Sequence, residues 1–278
     1  GLHLATTVAL ATRPGHSLHG ATILRLPSAR GIPGQPFGED IVEQLNRDGL
    51  LGQVLWGTSC VAADVTAGTF RWLYDTGLVM VRLDLDGSAA DLRGLVTALQ
   101  TLRRLGILVE YDLDLFGRSP RFASVRSGLA VLSAISGDGT TPARFRPGSP
   151  VDDCSPWLAR FQHHLAIAVE PWLAEDGLSS RLATAWAELV VAERLLLGLT
   201  GVAAHRIAMQ RLTLRSNMDL LSLVTRSAAD FELTGDTSLL NVAQIAARCA
   251  VLDRAITDLQ VSFLTTNAAS LSAGRVRR

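Results

Sequence analysis

The stretch FRWLYD at residues 70–75, followed by Thr76-Gly77 and then LVMVRLDLD at residues 78–86, decides the predicted fold. A two-residue connection that contains Gly, placed between two β-prone segments, is typical of an antiparallel hairpin. In the second segment polar residues occupy every second position from Arg82 onward, which gives the strand one polar and one buried face. The sequence therefore predicts an antiparallel sheet at this point.

The segments on either side of this hairpin extend the sheet and add helices. After it, apolar spacings of three and four residues predict a helix that ends near Leu105, and residues 107–115 alternate again as a strand. The other predicted strands are residues 2–10, 21–26 and 53–58. The other predicted helices are residues 37–48, 125–135, 157–175, 179–198, 202–227 and 238–270. The predicted fold class is α+β: an antiparallel β-sheet with helices in the first half, packed on a helical C-terminal half.

The basic residues of the chain are all arginine. Lys and Arg together number 26, and no lysine occurs among the 278 residues. This excludes Schiff-base chemistry on a lysine and a P-loop lysine. The 26 acidic residues balance the arginines, so the total charge favours neither nucleic acid nor an anionic membrane as a partner.

Cysteine and histidine patterns indicate no metal site. Cys60, Cys154 and Cys249 lie far apart without a CxxC pair. His163 and His164 are neighbours, about 100° apart on a helix, and do not ligate one metal in the usual i, i+4 manner. No charge-free segment reaches the roughly 20 apolar residues of a membrane span. We expect no signal peptide and a cytoplasmic protein with reduced thiols.

Arginines recur in the segments that the predicted fold places around one cleft between sheet and helices. They are Arg82 on the polar face of a strand, Arg118 and Arg121 after the last strand, and Arg211 and Arg215 on one late helix, with Asn217 just beyond. Guanidinium groups in a cleft suit carboxylates, amide oxygens or a developing oxyanion. The alternative is that each arginine only pairs with a surface acid.

At these residues the chain resembles the C-terminal elimination domain of lantibiotic dehydratases and its stand-alone relatives from thiopeptide biosynthesis. That family shows an aromatic strand, a strand of the form HxRxRL, a helix and a strand, an RYGG segment, a short helix and a late HxxxNR helix. The similar segments are FRWLYD (70–75), VMVRLDLDG (79–87), LVTALQTLRRLGILVEYDLDLF (95–116), RSPRFAS (118–124), GLAVLSAIS (128–136) and RLTLRSNMDLL (211–221). They cover about half of the chain.

The chain departs from the family pattern at the groups used for elimination. Thr213 stands at the place of the helix His, and Met218 at that of the Arg after the Asn. Met80 and Asp84 replace the His and the second Arg of HxRxRL. These losses resemble the thiopeptide pyridine synthases. In that branch two dehydroalanines of one peptide combine in a formal four-plus-two cycloaddition, and water and the leader peptide are lost.

The resemblance implies a set of site residues for such a cyclase. Arg82 and Arg121 would donate to an amide oxygen, and Tyr74 or Asp75 would move protons. Trp72 and Trp157 would stack the thiazoles of the substrate. The other residues expected to bind substrate are Arg118, Arg211, Arg215 and Asn217. No metal and no other cofactor is expected.

The expected partner is a modified precursor peptide with a leader and a core that carries dehydroalanine and thiazole. We expect one domain over residues 1–278, in which residues 1–60 bind the leader, residues 61–150 form the α+β core and residues 151–278 form the helical part. Two alternatives remain. One is a lyase that eliminates glutamate from glutamylated Ser or Thr, and the other is a non-catalytic partner that binds the leader peptide.

Overall fold

A parallel four-stranded sheet forms the centre of the first half of the protein. The computed structural model describes residues 23–26, 37–85, 92–116, 122–147, 156–196 and 198–268. The strands are β1 (Leu24–Arg25), β2 (Trp56–Cys60), β3 (Leu78–Asp84) and β4 (Leu108–Asp112). Their order in the sheet is that of the sequence, and each neighbouring pair is parallel. The predicted strand at residues 2–10 lies outside the described residues.

Helices account for most of the described chain. Those that alternate with the strands are α1 (Glu39–Arg47), α2 (Ala67–Asp75), α3 (Leu92–Arg104) and α4 (Phe122–Ser136). A short 3₁₀ helix, Ala62–Asp64, precedes α2. The second half contains α5 (Pro156–Leu173), α6 (Leu178–Leu195), α7 (Val202–Thr234) and α8 (Val242–Thr266), which confirms the helical prediction there. No helix among the described residues is both long and apolar enough to cross a membrane.

The predicted antiparallel hairpin is wrong, because its first arm is a helix. Residues 70–75 belong to α2, whose N-terminus is capped by Thr66 accepting from the backbone N–H of Thr69 at 3.3 Å. Phe70 and Leu73 are both fully buried at a spacing of three residues, the spacing of a helix face. That helical spacing outweighs the β propensity of the aromatic residues.

The Thr76-Gly77 connection therefore joins a helix to a strand. Gly77 has a φ of +109°, and a Cβ at this position would lie 2.5 Å from the carbonyl oxygen of Val54. Only Gly meets both conditions. The chain then enters β3 beside β2 in the parallel direction. The unbroken apolar run Leu78–Val81 at the start of β3 is typical of a parallel strand.

The two faces of the sheet have different surroundings. Parallel neighbours that follow in chain order require crossovers of one hand, which place α1, α2 and α3 on the same face. Cys60, Val81, Leu83 and Val109 point to that face and belong to the main hydrophobic core. We call this the inner face. On the opposite face, Met80 packs near Val190 of α6 in a small separate cluster.

Candidate functional site

Charged and polar side chains collect on the opposite face of the sheet, beyond the apolar cluster around Met80. We call this surface the open face and define it by Arg25, Ser59, Arg82, Asp84 and Glu110. Ser59, Arg82 and Glu110 are register partners on β2, β3 and β4, so their side chains project from one row on the same side. Arg82 and Asp84 are exposed. A parallel sheet is normally covered on both faces, so this polar surface is a candidate site.

An ion pair crosses the open face from one edge strand to the other. The two terminal nitrogens of Arg25 on β1 donate to the two carboxylate oxygens of Glu110 on β4, each at 2.8 Å. Gly57 is the register partner of Arg25, and a Cβ at Gly57 would lie 3.1 Å from Met80. The absence of a side chain at Gly57 leaves this close approach of β2 and β3 unobstructed.

The open face presents hydrogen-bond donors and acceptors side by side. Arg25 and Arg82 supply guanidinium groups, while Asp84 and Glu110 supply carboxylates. Guanidinium forks donate to carbonyl and carboxylate oxygens, and carboxylates accept from peptide N–H groups. Such a surface is suited to the backbone of a peptide substrate. In open α/β sheets, ligands bind near the carboxyl ends of the strands, which is where Arg82 and Asp84 lie in β3.

The thiol at the same end of the sheet is not an activated nucleophile. Cys60, the last residue of β2, is fully buried on the inner face. Burial is the main cause that raises its pKa from 9.0 to about 12, and the negative charges of Asp64 and Asp84 raise it further. Because the thiolate is the reactive form, Cys60 stays inert near neutral pH.

Tyr74 and Asp75, predicted to move protons, lie at the other end of the sheet from Arg82. They form the last turn of α2, which precedes the first residue of β3, Leu78. Arg82 is four residues further along β3, or roughly 13 Å at 3.3 Å per residue. The structure therefore does not bring these residues together with Arg82.

Both residues at the end of α2 have partners of their own. The guanidinium of Arg194 lies over the Tyr74 ring at 4.1 Å and donates to the Tyr74 carbonyl oxygen at 2.8 Å. The carboxylate of Asp75 lies 3.8 Å from Arg71, one helical turn earlier. Arg194 lies in the last turn of α6, so this contact joins the second half of the chain to the end of α2.

The two tryptophans predicted to stack thiazoles lie in different surroundings. Trp157 on α5 stacks on Phe231 with ring centroids 4.6 Å apart and also contacts Phe122 at 5.1 Å. Trp72 is exposed on α2, and no described aromatic ring contacts it. Trp157 thus belongs to an aromatic cluster between α4, α5 and α7. Arg118 and Arg121 lie outside the described residues.

Asn217, predicted to bind substrate, is part of the core. Its side chain is 1% exposed. The side-chain oxygen accepts from the N–H of Ala143 at 2.7 Å, and the amide nitrogen donates to the carbonyls of Ser136 and Thr141 at 2.8 and 2.9 Å. Both amide hydrogens are therefore used within the protein. Asn217 holds the connection that follows α4 against α7.

The neighbouring polar positions of α7 divide between core and solvent. Thr213 is fully buried and accepts from the indole N–H of Trp186 at 3.0 Å. Arg211 and Arg215 are exposed. Positions 215 and 217 are about 200° apart around a helix, so Arg215 projects to the side opposite Asn217. The predicted cleft that joins these residues to Arg82 is not assembled by the described structure.

Sequence reasoning missed Arg25 and Glu110 as members of the site. The alternation in ILVEYDLDL at residues 107–115 already places Glu110 and Asp112 on one polar face, and that signal was available. Arg25 lies in a strand of two residues, where no pattern is long enough to assign a face. Within the described residues, no group of three or more His, Cys, Asp or Glu is arranged to hold a metal ion.

Comparison with known proteins finds no similar protein. The chain matches no family model, no curated protein and no solved structure.

Proposed function

We propose that the protein is a cyclase that forms the central pyridine ring of a thiopeptide macrocycle, acting in the cytoplasm on a modified precursor peptide. The observation that carries the proposal is the exposed position of Arg82 on the open face of a parallel sheet. Arg82 is also the residue on which the resemblance to the pyridine synthases centres. A second guanidinium, that of Arg25, lies on the same face.

The reaction needs orientation and one polarised amide. An amide beside one dehydroalanine tautomerises to an imidic acid, which makes a 2-azadiene. The two ends of this azadiene form bonds to the two alkene carbons of the second dehydroalanine. Loss of the hydroxyl as water and of the leader as its amide then gives the aromatic ring. Donors aimed at the amide oxygen stabilise the imidic form, and proximity supplies roughly 7–11 kcal/mol of the barrier.

The open face provides groups for both requirements. Arg82 donates to the amide oxygen, and the ion pair of Arg25 with Glu110 holds the adjoining backbone across the sheet. Asp84 and Glu110 accept from peptide N–H groups, which fixes the direction of the chain. Arg121 remains the second predicted donor. Thr213 supports the cyclase over the glutamate-elimination lyase, because it is fully buried at the place of that lyase's His.

The test is a cyclisation assay with a linear precursor that carries two dehydroalanines and thiazoles, followed by mass spectrometry. Cyclisation releases the leader peptide and yields a macrocycle. We expect Arg82→Ala to lower turnover by roughly 10²–10³, the scale of losing one oxyanion-type donor. Arg82→Lys should recover only part, because an ammonium lacks the planar fork. Arg93→Ala, an exposed arginine on α3, is the matched control.

The other functions give different products in the same experiment. A non-catalytic partner would bind the precursor and release neither leader nor macrocycle. A lyase would convert a glutamylated precursor to dehydroalanine and leave the bis-dehydroalanine peptide unchanged. Wild-type turnover in a folded Arg82→Ala protein would remove the open face from the mechanism.

A further inference from the structure

The first half of α7 carries a row of exposed residues along one side of the helix. Members of this row follow one another at spacings that alternate between three and four residues. They are Ala204, Ile207, Arg211, Leu214 and Met218, and we call this row the α7 seam. It spans two heptads, or roughly 21 Å of the helix. This alternating spacing is the one by which two helices pair in a coiled coil.

The large apolar members of the α7 seam are exposed to solvent. Ile207 is 50% exposed, Leu214 is 39% exposed and Met218 is 56% exposed. The core of the protein uses the other side of this helix, where Met209 and Thr213 are fully buried. Large apolar side chains that lie together on an exposed helix face are typical of an interaction surface.

The α7 seam is also positively charged. Arg211 lies within it, and Arg215 lies beside it one turn later; both are exposed. Neither guanidinium makes a hydrogen bond or an ion pair with any described residue. The next acid along α7, Asp219, uses both of its carboxylate oxygens to accept from Arg248 of α8, at 2.6 and 2.5 Å. Within the described part of the chain, the two charges of the seam are therefore uncompensated.

We propose that the α7 seam binds an amphipathic α-helix of another protein, with apolar residues at its heptad a and d positions and Asp or Glu at its g positions. Ile207 and Leu214 then occupy d positions of α7. Arg211 and Met218 occupy a positions, and Arg215 follows at an e position. Because e residues of one helix pair with g residues of a parallel partner, an acidic g residue meets Arg215 and lies close to Arg211. The proposal is independent of the cyclase function.

Two other occupants fit the α7 seam less well. In a symmetric pair of two copies of this chain, the seam would face itself and bring the positive charges of Arg211 and Arg215 together, and like charges across an interface are unfavourable. A lipid bilayer would have to take up Arg211 with the apolar side chains, because Arg211 lies between Ile207 and Leu214 in the row. An acidic helix compensates the same charges.

The test measures binding of two fluorescent model peptides to the full chain by fluorescence anisotropy. Both peptides contain three heptads with Leu at a and d; one has Glu at e and g, and the other has Lys at e and g. We expect the Glu peptide to bind at least about ten-fold more tightly at low salt, because its charge is complementary to that of the seam. Binding of neither peptide, or equal binding of both, would overturn the proposal.

Substitutions at exposed positions locate the binding surface. Met218→Asp should weaken binding of the Glu peptide at least about ten-fold, since it replaces an apolar contact with a like charge. Val251→Asp makes the same kind of change at an exposed position of α8 outside the seam and should leave binding unchanged. The double variant Arg211→Glu with Arg215→Glu should bind the Lys peptide more tightly than the Glu peptide. Unchanged binding in folded Met218→Asp, or an unchanged preference in the folded double variant, would contradict the assignment; melting curves verify folding.

The Met218→Asp variant also distinguishes the other two occupants. Sedimentation equilibrium of the wild-type chain alone should show no dimer that this variant dissociates. Vesicles of phosphatidylcholine and phosphatidylserine should retain no more of the wild-type chain than of the variant. A dimer that Met218→Asp dissociates would overturn the proposal in favour of a second copy of the chain. Vesicle binding that Met218→Asp abolishes would overturn it in favour of an anionic membrane.

Discussion

Asn217 on α7 and Arg82 on the open face were both predicted to contact the substrate, yet the fold places the polar residues of these two regions in opposite surroundings. Thr213 and Asn217 are buried, and their hydrogen bonds are made within the protein. Arg82 and Asp84 are exposed on the sheet. The difference arises because α7 is packed by other helices on several sides, whereas Arg82 and Asp84 lie at an exposed part of the sheet.

This contrast separates structural from functional polar groups. A buried polar atom without a partner costs about 1–3 kcal/mol, so internal hydrogen bonds such as those of Thr213 and Asn217 stabilise a packed helix. An exposed side chain has water as an alternative partner, so a ligand that exchanges for its present partners costs less there than in the core. Substitutions of buried α7 residues should therefore act on stability, and under the proposed function substitutions on the open face should act mainly on substrate binding and turnover.

The largest expected effect on stability is that of Asn217→Ala. It leaves one backbone N–H and two carbonyls without their partner in a buried place. We expect the free energy of unfolding to fall by about 3–5 kcal/mol. Urea unfolding monitored by circular dichroism measures the change. Arg215→Ala, on the exposed side of the same helix, should change it by less than about 0.5 kcal/mol.

A small loss of stability in Asn217→Ala, or a large loss in Arg215→Ala, would contradict the comparison of buried and exposed polar residues. A small loss in Asn217→Ala would mean that water replaces the amide, and that the site is open enough to admit a ligand. Asn217→Asp sharpens the distinction, because its carboxylate would face the carbonyls of Ser136 and Thr141 without donors. We expect it to be at least as unstable as the Ala variant.

The pH dependence of stability tests the burial of Cys60 on the inner face of the sheet. Cys60 lies on the inner face, with a pKa raised to about 12 from 9.0. Above pH 9 the unfolded chain loses this proton while the folded protein keeps it, so stability falls as pH rises from 9 towards 12. At pH 10.5 the loss from this thiol is about 2 kcal/mol relative to pH 8.

The measurement is urea unfolding at pH 8 and pH 10.5 for wild type and Cys60→Ala. Tyr111, whose pKa burial also raises to about 12, contributes to the alkaline loss in both proteins. The change in unfolding free energy between pH 8 and pH 10.5 in wild type, minus the same change in Cys60→Ala, gives the contribution of the Cys60 thiol. Identical slopes would show that Cys60 ionises equally in the folded and unfolded states.

A smaller effect is expected for the indole–hydroxyl pair of Trp186 and Thr213. Thr213→Val and Trp186→Phe each leave one buried partner without its hydrogen bond. The double variant removes both partners, so its loss should be smaller than the sum of the single losses by about 1 kcal/mol. Urea unfolding of all four proteins gives this coupling. Strict additivity would mean that the hydrogen bond contributes nothing.

The helical second half could be predicted from the sequence, and the direction of the strands could not. Apolar spacings of three and four residues predict α5 to α8, because each helix carries its own period over many turns. Strand direction depends on whether residues 70–75 form a helix or a strand. This short segment has both aromatic β formers and the helical pair Phe70 and Leu73. Burial of Phe70 and Leu73 in the main core favours the helix.

Part of the site was likewise accessible to sequence reasoning. Arg82 could be placed on a polar face from the alternation in VRLDLD alone. The burial of Asn217 and Thr213 could not, since Asn and Thr on a helix are compatible with core and surface alike. The partner of Glu110 is Arg25, which lies 85 residues earlier in the chain. No local pattern connects them.

The smallest expected effect belongs to the ion pair of Arg25 and Glu110 on the open face. The side chain of Arg25 is 64% exposed and that of Glu110 is 20% exposed. Exposed ion pairs contribute roughly 0.2–1 kcal/mol, and the bidentate geometry favours the upper part of this range. A double-mutant cycle of Arg25→Ala and Glu110→Ala, measured by urea unfolding at low salt, gives the coupling.

The salt dependence of the coupling energy and the binding of the precursor peptide then distinguish an ion pair that only stabilises the fold from one that contacts substrate. At 1 M salt the screening length is about 3 Å, so the coupling should shrink if the pair lies in water. Under the proposed function, Arg25→Ala should also weaken binding of the precursor peptide by far more than it lowers stability. A coupling that persists at high salt, with unchanged peptide binding, would show that the open face is held by its own charges and receives no substrate there.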